Sequence, residues 1–210
     1  MLCSVWRCVV KKTLYASEQD TPRVRQQRDD YRRWLDQIDV RNLVFIDEAG
    51  IHLGLVRLFA RAFRGERAID HAPRNTGANV SLIGALSLDG LIAAMTVNGS
   101  VDTAVFMHYL NEVLAPQLWT GAIVVMDNLK VHHAHCVRSA IEAVGARVVF
   151  LPPYSPDLSP IELCWSKLKQ FLRSKAARTY EALDQGMTEA LNYITEDDAV
   201  SWFNHCGLFT

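Results

Sequence analysis

Three acidic residues stand at positions where a carboxylate can do chemistry. Asp47 follows the apolar run LVFI, Asp127 follows AIVVM, and Glu162 lies in LPPYSPDLSPIELCWSKLK, residues 151–169. Acids directly after buried strands gather at one edge of an open α/β sheet, where functional groups collect. Two or three carboxylates converging there are the donor set of a hard cation such as Mg²⁺, which takes one or two carboxylates plus water and substrate phosphate. A pair of such ions, about 3.5–4 Å apart, activates a nucleophile and stabilises the leaving oxygen of an in-line phosphoryl displacement. Each acid also has a plainer reading. A strand-end Asp can simply bond the turn that follows it. Ser159-Pro160-Ile161-Glu162 has the form of a capping box with Pro at the first helical position, which would give Glu162 a purely local role.

The elements that must position these acids follow from apolar patterning. Residues 43–47, 122–126 and 147–151 read as short buried strands. Residues 55–63 and 80–88 read as further strands, and Asp89-Gly90 as the turn of a hairpin that returns over 91–97. Helical periodicity covers 103–118 and 134–144, with Gly145 as a stop, and resumes from Pro160 to about residue 177. Two more helices fill 179–207, and a charged helix with Tyr31, Trp34 and Leu35 covers 23–37. A meander followed by β-α-β crossovers makes an α/β protein: a mixed central sheet with helices on both faces and a helical C-terminal tail. That order is the order of an RNase H-like fold. Two regions are expected, a basic N-terminal arm and linker over 1–40 and the acid-bearing domain over 41–210.

Composition narrows the classes. The 210 residues are 50% hydrophobic and 21% charged, with a net charge of −1, so any affinity for nucleic acid has to be local. Five scattered cysteines without a C-x-x-C pair argue against a zinc site or disulfide framework and for buried free thiols. No apolar stretch reaches the length of a membrane span. Arg7 interrupts the partly apolar N-terminus, unlike a signal peptide. Positive charge does cluster: Arg57, Arg61, Arg64 and Arg67 in one segment, and Lys167, Lys169, Arg173 and Lys175 after Glu162. These eight are the candidate phosphate contacts. A phosphatase using a first-strand Asp commonly needs a second Asp two residues on, and position 49 is Ala.

Taken together, FIDEAG, MDNLKVHH and YSPDLSPIE, with 34 residues between the second and third acids, resemble the signature of the mariner-type superfamily of transposases, in its bacterial insertion-sequence branch. The similarity extends over KKTLYASEQD and RGERA. The resemblance implies a DDE endonuclease core with Asp47, Asp127 and Glu162 as catalytic acids and ligands of two Mg²⁺ or Mn²⁺ ions. It implies DNA cleavage and strand transfer with no covalent protein–DNA intermediate. Asn128 and His132 fall on family-typical positions, to orient the second acid or touch DNA. Glu48 and Asp157 are expected beside the site, in contact with solvent or with its ligands. The implied partners are double-stranded DNA, transposon ends and target, and a second copy of the chain in the active complex. The implied location is cytoplasmic, at the nucleoid when DNA is bound. Only about ten residues precede KKTLYASEQD, too few for the family's helix-turn-helix reader. An upstream-frame product carrying that reader is therefore expected as a partner. The alternative is a truncated, inactive remnant that only binds DNA or a partner.

Overall fold

The computed structural model describes residues 16–57, 59–74, 77 and 79–209. Cys3, Cys8 and the first residues of KKTLYASEQD lie outside the described residues. Five strands form one sheet in the order β3-β2-β1-β4-β5. Strands β1 (Leu43–Ile51), β2 (Val80–Ser87) and β3 (Gly90–Asn98) make an antiparallel meander. The turn between β2 and β3 places Gly90 at φ 98°, a region closed to most side chains. Strands β4 (Ile123–Met126) and β5 (Arg147–Phe150) run parallel to β1.

Alternation along β1 divides the core. Leu43, Phe45, Ala49 and Ile51 face one hydrophobic cluster, while Val44 and Ile46 face the other. The first cluster is closed by α1 (Pro22–Leu35), α4 (Pro160–Lys175), α5 (Tyr180–Asn192) and α6 (Glu196–His205). The second is closed by α2 (Thr103–His108), its π-helical continuation Tyr109–Leu114, and α3 (His135–Ala143). The sheet is thus mixed, with helices on both faces, as the element order implied.

The structure departs from the sequence reading in several places. Residues 103–118 are not one α-helix but α2, a π-helical segment and a 3₁₀ turn, Ala115–Gln117. Pro116 cannot donate to the ladder, and its ring crowds the carbonyl four residues back, so the helix loosens before it. Residues 55–63 form no strand among the described residues. The edge of β1 that could pair with them is taken by β2, and Phe59 and Phe63 are 90% and 84% exposed. Helix α1, expected in an N-terminal arm, buries Val24, Tyr31 and Leu35, the last two in the cluster that holds Phe45 and Trp165. Of the described cysteines Cys164 is a buried free thiol, as expected, but Cys136 is exposed.

Candidate active site

Strand β1 continues four residues past Asp47, so this acid lies within a strand and not at its end. What ends there is the neighbour. Phe45 pairs with Val125 in the parallel β1–β4 ladder; two residues on, Asp47 comes level with Asp127 just as β4 stops. Phe45 and Val125 both face the cluster under α4, and the two-residue period carries Asp47 and Asp127 toward that side. Glu162 arrives from the first turn of α4. All three acids line one open cleft of about 460 Å³, together with Arg23, Asn128 and Tyr154.

The capping role considered for Glu162 is absent. Ser159 is the N-cap residue and Pro160 opens the helix, but the Ser159 side chain makes no cap hydrogen bond. The Glu162 amide instead donates to the Ser159 carbonyl at 3.2 Å. The capping box of this chain lies elsewhere, between Thr195 and Asp198 at the start of α6.

Asp47 is anchored by α4: Trp165 Nε1 donates to its Oδ2 at 2.9 Å. Burial pushes the Asp47 carboxyl up to about 7, with the charges of Glu162 and Glu48 adding to the rise against hydrogen bonds from the Glu48 amide and Trp165. Although Glu162 is exposed overall, partial desolvation of its carboxyl raises it; Lys169 pulls it back and the charge of Asp127 raises it further. Asp127 is the acid with a compensating partner. Burial works to raise it, but His132 and the Leu129 amide, donating to Oδ1 at 2.7 and 2.9 Å, hold it below its usual value. Although burial disfavours its charged form, His132 is raised to about 9 by its bonds to Asp127 and Glu48.

The chemistry of this donor set fits divalent metal. Among the described residues neither Asp47 nor Glu162 forms an ion pair; Lys169 lowers Glu162 from a distance, and Arg23 lines the same cleft. Among the described residues no three His, Cys, Asp or Glu side chains stand close enough to enclose one ion. An Mg²⁺ site does not need that: it keeps several waters and takes one or two carboxylates, with substrate phosphate completing the shell.

The remaining residues divide. Asn128 Nδ2 donates to the Leu151 carbonyl at 2.7 Å, tying the loop after β4 to the chain that leaves β5. Lys167 and Lys175 point to the C-terminal helices: Lys167 pairs with Asp198 and Lys175 with Glu189. Both pairs keep some exposure, 26% for the Lys167 side chain and 43% for that of Lys175. Arg57, Arg61, Arg64 and Arg67 are exposed on the irregular segment between β1 and β2 and do not line the cleft. Lys169 and Arg173 are part-exposed on α4.

Sequence reasoning passed over several residues. Trp165 is three residues after Glu162, a spacing that shares a helix face and could have been noticed. Arg23 and Arg28 carried no signal beyond the charge of α1. Arg28 is buried and forms a bidentate pair with Asp157, at 2.9 and 2.6 Å, and also donates to Ser155 Oγ at 2.6 Å. Gln19 Nε2 donates to the Tyr154 carbonyl at 2.8 Å. Helix α1 and the turn before it thereby grip the loop that delivers Glu162, in which Tyr154 is held at φ 56°. Removing one partner of a fully buried pair costs about 3–5 kcal/mol. The Asp157 side chain is 35% exposed, so Arg28→Met should cost nearer about 2 kcal/mol. Thermal melting should show that loss, and a smaller one for Asp157→Asn, which keeps an acceptor. A melting temperature for Arg28→Met equal to that of the unaltered protein would mean that α1 does not hold the loop.

The sequence model of the DDE superfamily endonucleases matches residues 42–184. No curated protein sequence matches the chain. Among solved structures the chain is similar to a Mos1 transposase paired-end complex with left transposon end, with a TM-score of 0.78 at 18% identity, over 96% of this chain and 64% of that one. It is also similar to a Mos1 mariner paired end complex with Mn, with a TM-score of 0.74 at 19% identity, over 95% and 63%. For the catalytic domain of Mos1 mariner transposase the TM-score is 0.65 at 17% identity, over 95% and 91%. The chain thus spans less than two thirds of the length of the first two.

Proposed function

The chain belongs to the DDE superfamily endonucleases, and we propose that it is the catalytic part of a transposase that cuts and joins DNA strands with divalent metal. One observation carries this reading: Asp47, Asp127 and Glu162 share one open cleft, where the charges of Glu162 and Glu48 help to raise Asp47 and that of Asp127 helps to raise Glu162. These three residues would hold two Mg²⁺ or Mn²⁺ ions. When bound, such ions lower the pKa of an attacking hydroxyl and stabilise the departing oxygen.

The chain's own residues supply position. In cleavage a water oxygen bonds to phosphorus as the P–O3′ bond breaks and the 3′-oxygen leaves with a proton. In joining, a 3′-hydroxyl replaces the water. Neither step needs a protein nucleophile. Trp165 and His132 fix the orientations of Asp47 and Asp127, and the α1 contacts fix the loop before Glu162. Arg23 lines the cleft and is placed to meet a phosphate oxygen. Lys169, Arg173 and the arginines between β1 and β2 supply sequence-independent phosphate contact. Double-stranded DNA is the substrate, a second copy of the chain is a partner, and the site of action is the cytoplasm, at the nucleoid.

The test is cleavage of a supercoiled plasmid carrying the native element ends. It is run with Mg²⁺, Mn²⁺, Ca²⁺ and EDTA. Nicking and joining in Mg²⁺ and Mn²⁺ are expected, with little turnover in Ca²⁺, whose larger, looser shell does not hold the in-line geometry. Equal cutting in EDTA, or none under any condition, would overturn the proposal.

A further inference from the structure

On the face of β1 opposite Asp47, a second carboxylate points away from the cleft and into the protein. Glu48 is 15% exposed at its side chain, and its Oε1 lies 3.1 Å from His132 Nε2. Its Oε2 is buried without a hydrogen-bond partner. A buried unsatisfied oxygen costs stability, so the strain of burying Glu48 is borne for its other contact. The His132 ring is fully enclosed and packs 4.7 Å from the Phe106 ring. Its other nitrogen, Nδ1, lies 2.7 Å from Asp127 Oδ1. The imidazole is therefore held on both sides and by the ring below it.

Asp127 is the acid that most needs such support. It lies one residue beyond the end of β4, off the sheet ladder, with 43% of its side chain exposed. Left alone, its carboxylate would turn. Both hydrogen bonds it accepts fall on Oδ1, from the Leu129 amide and from His132, which leaves Oδ2 for a ligand.

We propose that Glu48 is a positioning residue: acting through His132, it straps the end of β4 to β1 and fixes Asp127 with Oδ2 presented to the cleft. The inference rests on the reading of Asp127 as a metal ligand. The group that bonds the ligand directly is His132, and loss of such a partner typically weakens metal affinity about 10–100-fold; Glu48 acts one bond further out, at the lower end of that range. Asp47 and Glu48, adjacent in sequence, thus serve one site from opposite faces of the sheet, one directly and the other from behind its neighbour.

The experiment is Mn²⁺ binding to the DNA-free protein, followed by electron paramagnetic resonance and calorimetry, with melting temperatures in EDTA alongside. Glu48→Ala should weaken Mn²⁺ binding about 10-fold, the lower end of the range for a partner bonded to the ligand itself. Glu48→Gln, which keeps an oxygen to accept from His132, should restore it to within a few-fold. His132→Asn keeps a donor near the Nδ1 position but cannot reach Glu48, so it should bind as weakly as Glu48→Ala. It carries the test if Glu48→Ala does not fold. Wild-type affinity in Glu48→Ala, or in His132→Asn where Glu48→Ala does not fold, overturns the strap alone. So does Glu48→Gln as weak as Glu48→Ala. Absence of Mn²⁺ binding by the unaltered protein overturns the metal reading of the cleft, and this inference with it.

Discussion

Glu162→Gln should fold with near-normal thermal stability and neither cut nor join DNA. Ser159 makes no side-chain cap bond, so there is no reciprocal capping box to lose. The substitution removes a negative charge near the positive end of α4, worth roughly 0.3–1 kcal/mol. It also removes repulsion between Glu162 and Asp127, which acts in the opposite direction. Gln cannot offer the anionic oxygen that a hard cation prefers. Even outer partners of metal ligands command about 10–100-fold in activity, so loss of a ligand should exceed that. Asp47→Asn and Asp127→Asn should be equally inactive.

Stability separates the two aspartates. Burial raises the folded-state pKa of Asp47 to about 7, above the ordinary aspartate value of about 3.9, so its ionised form costs stability that grows as pH rises across that window. In EDTA at pH 8, Asp47→Asn should therefore melt at or above the unaltered protein, with the difference closing as pH falls toward 4. Asp127 is shifted the other way, so it contributes stability above its unfolded pKa that is lost in acid, and Asp127→Asn should melt lower at pH 8. Plasmid cutting within tenfold of wild type by any of the three variants would remove the three-carboxylate mechanism.

Gly84→Ala should damage both stability and activity, although the change adds one methyl group far along the chain from any acid. Gly84 pairs with Asp47 across the β1–β2 ladder, and the Trp165 ring lies over it. A Cβ at position 84 would come within 2.5 Å of Trp165 Cη2 and 3.2 Å of Leu91 Cδ1. Trp165 is 2% exposed and has no flexible end to withdraw, so the ring itself must move. Overpacking of this kind costs about 1–3 kcal/mol, which for a domain of this size lowers the melting temperature by about 2–4 °C per kcal/mol. Movement of the ring also breaks the 2.9 Å bond from its Nε1 to Asp47. Adding Trp165→Phe should recover part of the stability by removing the clashing atoms, while activity stays low because Phe cannot donate to Asp47. A Gly84→Ala protein with unchanged melting and cleavage would show that the close approach of Trp165 to β2 is not what seats the acid.

Much of this was legible from local pattern. Short β-branched runs marked β1, β4 and β5, the Asp89-Gly90 turn marked the hairpin, and 3.6-residue periodicity marked α3 through α6, because burial on one face imposes those periods directly on the chain. Errors came where a neighbour decides. The alternating run at 55–63 looks like a strand, but a strand exists only with a ladder partner, and β1 had none to spare. The Ser159–Glu162 spacing looks like a capping box, yet the Glu162 amide is satisfied by a backbone carbonyl. Charge along a chain also does not say what it will meet: Lys167 and Lys175 find Asp198 on α6 and Glu189 on α5.

What the sequence by itself marked is three carboxylates to follow, with Asp127 at the end of an apolar strand and Glu162 at a helix start, and a fold with a mixed sheet. Those follow from residue type and short-range order. Only the tertiary structure decided how the carboxylates are held. Asp47 comes level with Asp127 through the register of β1 on β4, Trp165 seats Asp47 through a gap left by Gly84, and Glu48 reaches Asp127 through His132 from the far side of the sheet. Arg28 binds α1 to the loop before Glu162 across 129 positions of chain. Such contacts join residues that share no period and no proximity in sequence, so no local pattern carries them; they exist only once hydrophobic burial has brought the elements together.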